Sequence, residues 1–300
     1  MSVKLLHPKY WLMWLLVMIL RAMALLPWRW QLGLGRGLGI LGYHLVRRRR
    51  RIVDVNLKLC FPELSEPERR ALAIASFKAV GMGVFETLIA WWKPKAVFAE
   101  IPLQYFGLEH IQAAQARGDG VIICGAHFTC MELIGRNFAE RFPLSLVYRR
   151  HDHPVYEHVM TKCRARYIKK NIDRYEIKTM IKTLRNGGLL WYAPDQDLGR
   201  NRSIFAPFFN IATATVPAMS GLARMGKAAV IPVCFFRTAD NQGYECHFLP
   251  PFQYFPSGDE VVDATRYNAH VEQYVREHPE QYLWQHRRFK TRPQGEPKLY

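Results

Sequence analysis

The segment Val121 to Asn137, VIICGAHFTCMELIGRN, constrains this chain more than any other. Val121 to Cys124 has the apolar run of a short buried strand, Gly125-Ala126 turns it, and an apolar helical pattern predicts a helix from about Phe128 onward. His127 stands at the mouth of that strand-to-helix turn, well placed to meet a substrate. Glu132 follows at H-x-x-x-x-E spacing. Residues five apart lie roughly 140° apart around a regular helix, so the two side chains meet only if His127 stays outside the helix and Glu132 lies in its first turn. In that geometry the carboxylate accepts the proton of one ring nitrogen and leaves the other as a free base. Spacing alone leaves a second reading open, a buried histidine capping a helix beside an unrelated, solvent-facing glutamate.

The remaining pattern alternates. Ser65, Pro67 and Glu68 form a capping-box start to a long apolar helix that runs to about Trp92, with Pro94 as its stop. A break follows from Lys93 to Pro102, then a short helix from Leu108 to Ala116. Strands are expected at Leu144 to Tyr148, Leu189 to Ala193, Ala228 to Phe236 and Tyr244 to Leu249. Helices are expected at Tyr156 to Arg174, a basic stretch, and at Tyr175 to Leu184, Val216 to Met225 and Asp263 to His278. Ser203 to Phe209 reads as an aromatic loop, and the tail PEQYLWQHRRFKTRP is basic and aromatic. Strands alternating with helices predict an α/β sheet with much parallel pairing, flanked by helices. His127, Arg149 and Asp195 all fall at C-terminal strand ends, the edge where such sheets hold their sites.

The N-terminus is a separate question. Tyr10 to Pro27 is the most apolar run, but it carries Arg21 and falls short of the roughly 20 residues of a full span. Trp11, Trp14, Trp28 and Trp30 lie near its ends like an aromatic belt. Ala22-Met23-Ala24 behind Lys4 imitates a secretory cleavage site, yet Arg47 to Arg51 are hard to translocate. Residues 1–30 therefore read as an uncleaved membrane anchor, shallow or spanning, and residues 31–300 as one domain on the cytoplasmic side.

The chain has 42 Lys and Arg against 25 Asp and Glu, a formal net charge of +17, so its partners are anionic. Charge does not choose among phospholipid, phosphorylated substrate, acidic protein and nucleic acid. Six cysteines show no C-x-x-C pair and read as free thiols of a reducing compartment. A thiol nucleophile at Cys130 is a rival to the His127 base. His151-Asp152-His153 invites a metal, but no third ligand is evident and no metal or other cofactor is assigned.

With these elements in place the chain resembles the late acyltransferases of lipid A biosynthesis, especially their lauroyl- and palmitoleoyl-transferring branch. The marks are LLHPKYWLMW, NLKLCFPELSEPERR, VGMG with FET, HFTCMEL, VYR ending at Arg149, WYAPDQDLG, FAPFF and YLWQHRRFKTRPQGEPKLY, which cover nearly the whole chain. Arg150 departs from the proline that close relatives often carry. The family is similar in turn to glycerolipid acyltransferases, with an α/β fold and an H-x4-[DE] box. The resemblance implies transfer of a fatty acyl chain from an acyl carrier protein thioester to the 3-hydroxyl of an acyl chain on (Kdo)2-lipid IVA. The enzyme would be anchored by its N-terminus at the cytoplasmic face of the inner membrane, on its phospholipid, with no nucleic-acid partner. It implies His127 as base, Glu132 as its orienter, and Arg164 and Asp195 as further catalytic residues. Arg149, Arg166 and Asp197 are the substrate-binding candidates. Rival readings are a lysophospholipid or glycerol-phosphate acyltransferase, although the F-P-E-G box of those relatives is lacking, and a basic lipid-binding protein without catalysis.

Overall fold

A computed structural model describes residues 3–300, with side chains from residue 5 onward, so the Lys4 side chain of the cleavage-site reading lies outside the described residues. A seven-stranded sheet forms the centre. Its strands are β1 (Leu103–Phe106), β2 (Gly120–Cys124), β3 (Leu144–Tyr148), β4 (Lys170–Asp173), β5 (Leu189–Tyr192), β8 (Ala228–Arg237) and β9 (Tyr244–Phe248), in the order β1-β9-β8-β2-β5-β3-β4. Every pair is parallel except β8 with β9. All five residues of β2 are buried, because helices cover both faces of a parallel sheet and a continuous apolar run is what such a strand needs. The covering helices are α6 (Leu108–Ala116), α7 (Met131–Ala139), α8 (Pro154–Arg164), α9 (Ile177–Arg185), α10 (Ala218–Gly226) and α11 (Glu260–Glu277). Short α5 (Lys95–Ala99) leads into β1.

Four expectations change after residue 92. Helix α7 starts at Met131, not Phe128, because Phe128 and Thr129 are held by the C-terminal tail: Phe128 forms an isolated bridge with Tyr282, and Thr129 N donates to Gln281 O at 2.9 Å. The basic stretch after Tyr156 is helical only to Arg164, then turns and supplies edge strand β4, whose exposed lysine hides its strand character. Strand β1 occupies part of the approach from the Lys93–Pro102 break to α6. The aromatic loop is a hairpin of β6 (Ile204–Phe208) and β7 (Ile211–Thr215), packed under α11 and turned at Phe209 and Asn210, both with positive φ.

The largest change is at the N-terminus. Residues 11–45 form two helices, α1 (Trp11–Met23) and α2 (Trp28–Leu45), followed by α3 (Arg47–Cys60) and the long α4 (Glu66–Trp92), which has its Ser65/Glu68 capping box. Helix α1 has 13 residues, a length of about 20 Å against a hydrocarbon core of about 30 Å. Among the described residues only α4 is long and apolar enough to cross a membrane, and much of it is buried against the rest of the chain. Helix α2 is rich in glycine. Its glycines are there for contact: a Cβ on Gly35 would lie 2.7 Å from Gly81 O, and one on Gly39 2.2 Å from Phe77 O. Glycine costs a helix about 1 kcal/mol, and here the backbone-close packing of α2 on α4 offsets it. The outward faces remain apolar, with Trp11, Leu12, Leu25 and Trp30 among the most exposed. This apolar surface continues past residue 30 through Leu34, Leu38, Leu41 and Leu45, so it spans both helices.

Candidate active site

The C-terminal ends of β2, β3 and β5 open into one cleft of about 630 Å³, lined by His127, Arg149, Tyr156, Arg164, Arg174, Gln196 and apolar residues of the same loops. Gly125 lets β2 end this close to its neighbour, since a Cβ there would lie 2.4 Å from the Trp191 ring. The turn is fixed from below as well. Buried Glu86 and Arg237 pair at 2.6 Å, Arg237 also donates to Thr129 Oγ1, and a Cβ on Gly83 would lie 2.6 Å from Thr129 O. The VGMG and FET residues of α4 thus form the seat of the His127 loop.

His127 is paired with Asp195, not with Glu132. Its Nδ1 lies 2.5 Å from Asp195 Oδ1, and its backbone N–H donates to Oδ2 at 2.9 Å. The two bonds make the carboxylate a fork that fixes both the ring and the main chain of one residue. With Nδ1 carrying the shared proton, Nε2 is the lone-pair nitrogen, on a ring that retains 25% exposure in the cleft wall. Burial alone would lower the His127 pKa; the charge and hydrogen bond of Asp195 outweigh it and hold it above the ordinary histidine value. Asp195 is pushed up by its own burial, but His127 and, farther off, Arg288 bring it down to about 2.

Glu132 does lie in the first turn of α7, but it faces α4 and α8. Arg164 clamps it with both Nε, at 2.9 Å, and Nη2; Trp91 Nε1 donates to it at 2.8 Å and Tyr167 OH at 3.1 Å. The expected His127–Glu132 pair is therefore replaced by two separate pairs. Its physical reason is that Arg164, Trp91 and Tyr167 hold the glutamate against α4 and α8, while the loop after β5 brings Asp195 to the imidazole. Burial raises the Glu132 pKa, yet Arg164 and the other donors more than reverse this and keep it ionised. Arg164 also lines the cleft, and its Nη1 makes no hydrogen bond among the described residues.

The other candidates divide. Arg149 stands on the cleft rim, exposed and held by Asp152 at 2.6 Å. Arg166 is exposed beyond the end of α8, with Nε on Cys163 O, and is not brought to the cleft wall. Asp197 is a correction: its side chain is buried and accepts from Thr291 N, Thr291 Oγ1 and Gly199 N, so it ties down the tail rather than facing a substrate. Cys130 is buried with its thiol toward Phe235 O, and burial drives its pKa well up, the reverse of what a thiolate nucleophile needs. His151 lines the cleft, but its Nδ1 accepts from His153 N; among the described residues no three His, Cys, Asp or Glu side chains are grouped to hold a metal.

Sequence reasoning missed the holders. Trp91 and Tyr167 read as core packing and as part of a basic helix, with no spacing that links either to Glu132. The tail read as a basic aromatic surface, yet Leu283 N donates to His127 O and His286 Nε2 accepts from Asp197 N. Its alternation of aromatic residues with arginines was the available signal.

Comparison with known proteins settles the family. The family profile described as bacterial lipid A biosynthesis acyltransferase matches residues 1–291. The chain is 42% identical to the Lipid A biosynthesis lauroyltransferase of Escherichia coli K12, over 100% of this chain and 98% of that protein. The chain belongs to the bacterial lipid A biosynthesis acyltransferases. It is 38% identical to the palmitoleoyltransferase of the same strain and 30% identical to its myristoyltransferase, over 98% of this chain in each case and 96% and 91% of those proteins. A solved 1-acyl-sn-glycerophosphate acyltransferase from Thermotoga maritima aligns at a TM-score of 0.37 and 13% identity, covering 82% of this chain and 96% of that one. As a lipid A biosynthesis acyltransferase the chain is an enzyme.

Proposed function

We propose that this acyltransferase moves a lauroyl-type chain from an acyl carrier protein thioester to the 3-hydroxyl of an acyl chain on (Kdo)2-lipid IVA, with His127 as general base oriented by Asp195. The observation that carries the reading is the His127–Asp195 pair at 2.5 Å, with the ring in the cleft wall. A secondary hydroxyl does not ionise near neutral pH. It attacks the thioester carbonyl as Nε2 takes its proton, a contribution of roughly 10² to 10⁴-fold. The tetrahedral intermediate then collapses, the C–S bond breaks, and the imidazolium returns the proton to the leaving thiolate. No acyl-enzyme is needed.

The oxyanion requires a donor. The N–H groups of His127, Phe128, Thr129 and Met131 are already given to Asp195 and to the Ala126, Gln281 and Phe128 carbonyls, and the Arg164 Nη1 group, on the cleft wall, is the candidate donor. Glu132, Trp91 and Tyr167 then serve to aim that guanidinium. Arg149 and Arg174 on the wall suit substrate phosphates, and the +17 charge suits an acidic carrier protein.

Chain selection has a place to act. A narrow apolar slot of about 40 Å³ runs behind the cleft between α7 and the sheet, sharing Met131, Leu146, Arg164 and Trp191 with it. This is little more than one water's share of liquid volume, so an acyl end enters by displacing flexible Met131. The identity to a lauroyltransferase supports the lauroyl assignment. The exposed apolar faces of α1 and α2, beside Arg47 to Arg51 at the start of α3, support an anchor lying in the interface of an anionic leaflet, the cytoplasmic face of the inner membrane.

The test is mass spectrometry of the purified chain with (Kdo)2-lipid IVA and a mixture of acyl carrier protein thioesters. Addition of one C12 chain to the glycolipid supports the proposal. Acylation only of lysophosphatidic acid or glycerol phosphate, offered in parallel, contradicts it and supports the glycerolipid alternative.

A further inference from the structure

Between Asp173 and Lys227 the chain places eight basic residues against four acidic ones. The acids balance little of that charge. Asp195 and Asp197 are buried, Asp173 accepts from Tyr175 N at 3.0 Å, and Glu176 accepts from Thr179 Oγ1 at 3.1 Å. The basic side chains form two groups. Helix α9 begins just after β4 ends, at the edge that carries the cleft, and its nine residues run back along the sheet for about 13 Å. Lys178 therefore stands at the cleft end. Arg224 and Lys227 stand at the opposite edge, just before β8 begins, and Arg185 joins them there by donating to Met225 O.

The near group is continuous with the cleft, because Arg174 lines its wall. Tyr175, the next residue, is 60% exposed, and its hydroxyl accepts from Arg174 Nη2 at 2.9 Å and from Arg202 Nη1 at 2.7 Å. Each guanidinium also lies 4.9 Å from the centre of the Tyr175 ring. None of Arg174, Lys178, Arg200 and Arg202 has a carboxylate at ion-pair distance among the described residues. A neutral phenol thus holds two guanidiniums in place without cancelling their charge. Like charges kept together repel one another until an anion reaches them.

The sheet decides which anion. Successive strand residues point to opposite faces. In β2, Ile123 lines the apolar slot beside α7, whereas a Cβ on Gly120 would meet Leu184 of α9, so α7 and α9 cover opposite faces. Helix α4 packs on α7, and α1 and α2 pack on α4, which puts the exposed apolar surface on the α7 side. The Tyr175 clamp belongs to the α9 side, away from that surface, and so suits an acidic soluble protein rather than a second stretch of leaflet. We propose that Lys178, Arg200 and Arg202, around the Tyr175 clamp, are the docking surface for the acidic carrier protein that brings the acyl thioester. Donor and lipid acceptor then reach one cleft from opposite faces of the sheet. This rests on the reading of a carrier thioester as the donor.

The experiment measures initial rates of transfer by the full-length chain with donor and glycolipid varied in turn, beside co-sedimentation with anionic-lipid vesicles. Lys178→Glu with Arg202→Glu reverses the near group, and Arg224→Glu with Lys227→Glu makes the same change of charge at the far one. The near-group variant is expected to raise KM for the carrier thioester roughly tenfold or more, since like charges set against each other across an interface slow encounter and weaken docking. Its kcat at saturating donor, its KM for the glycolipid and its vesicle binding should stay as they were, and the far-group variant should alter none of these. Lys178→Gln with Arg202→Gln covers the case in which the reversal does not fold. It should raise the donor KM less, and the difference should fade as salt is added. A donor KM that stays put in the near-group variants, or that moves as much in the far-group one, overturns the docking assignment alone. A near-group variant that loses vesicle binding or glycolipid affinity at an unchanged donor KM overturns it too, and gives the surface to lipid. A native chain that takes its acyl group from acyl-coenzyme A as readily as from the carrier removes the carrier reading and this proposal with it.

Discussion

Asp195 and Glu132 are both nearly buried carboxylates beside one cleft, and they are built for opposite purposes. Glu132 accepts from a guanidinium, an indole and a phenol, none of which gives up its proton near neutral pH. Asp195 is bonded to His127 at both ring and main chain, and that ring can gain or lose a proton. A carboxylate saturated by permanent donors is a strut, whereas one matched to a titrating imidazole is suited to orient a base, the role proposed for Asp195. The difference shows that spacing in sequence is a poor guide to which carboxylate serves a histidine, since the strut, not the partner, is the one five residues away.

The comparison can be broken at its strongest point first. His127→Ala is expected to lower kcat by about 10³-fold or more with lipid binding intact, measured by transfer rate and by lipid co-sedimentation; near-normal turnover would remove the base altogether. Asp195→Asn comes next. It keeps the shape, removes the charge, and should cost roughly 10² to 10³-fold in kcat, with the acidic limb shifted downward because the imidazolium loses its partner.

Glu132→Gln should differ in kind. It leaves Arg164 without a counter-charge, and breaking a buried pair costs about 3 kcal/mol or more. Because both side chains retain about an eighth of their exposure (12% and 13%), solvent screening reduces that to about 2 kcal/mol. Its Tm should fall more than that of Asp195→Asn, while the position of the pH limb stays where it was. The stability profile should separate the pairs too. The folded pKa of Asp195 is depressed to about 2 from an ordinary 3.8, so its contribution is fully present above 3.8 and is lost as pH falls toward 2. Asp195→Asn should therefore flatten acid unfolding in that window.

Smaller effects sharpen the picture. A Cβ added at Gly135 meets nothing within 4 Å, and Gly135 lines the apolar slot, so Gly135→Leu should fold and shift donor preference toward shorter chains in a mixed-thioester competition. Cys130→Ala should change the rate less than about twofold, since the buried thiol faces Phe235 O rather than the cleft.

Much of this was legible in the sequence. The capping box, the β2 run and the glycine turn specify their elements locally, so the long helix, the parallel strands and the placing of His127, Arg149 and Asp195 at one edge could be read directly. What could not be read depends on distant contacts. The start of α7 is delayed by the tail residues Gln281 and Tyr282, some 150 positions away, and where Glu132 points is decided by Trp91, Arg164 and Tyr167, none of them near it in sequence. The helix at the glycines of α2 was not legible, because the backbone of α4 that they fit against is not a local signal. Asp197 and Asp195 are indistinguishable in the string PDQD; only the fold turns one to Thr291 and the other to His127.

The most direct test of the account is proton and nitrogen NMR of the full-length chain with 15N-labelled histidine. Each labelled ring reports which nitrogen carries the proton and what accepts it. The His127–Asp195 pair predicts a strongly downfield Nδ1 proton that is present in the native chain and in Glu132→Gln, and absent from His127→Ala and Asp195→Asn. A signal that survives Asp195→Asn and vanishes in Glu132→Gln would contradict it.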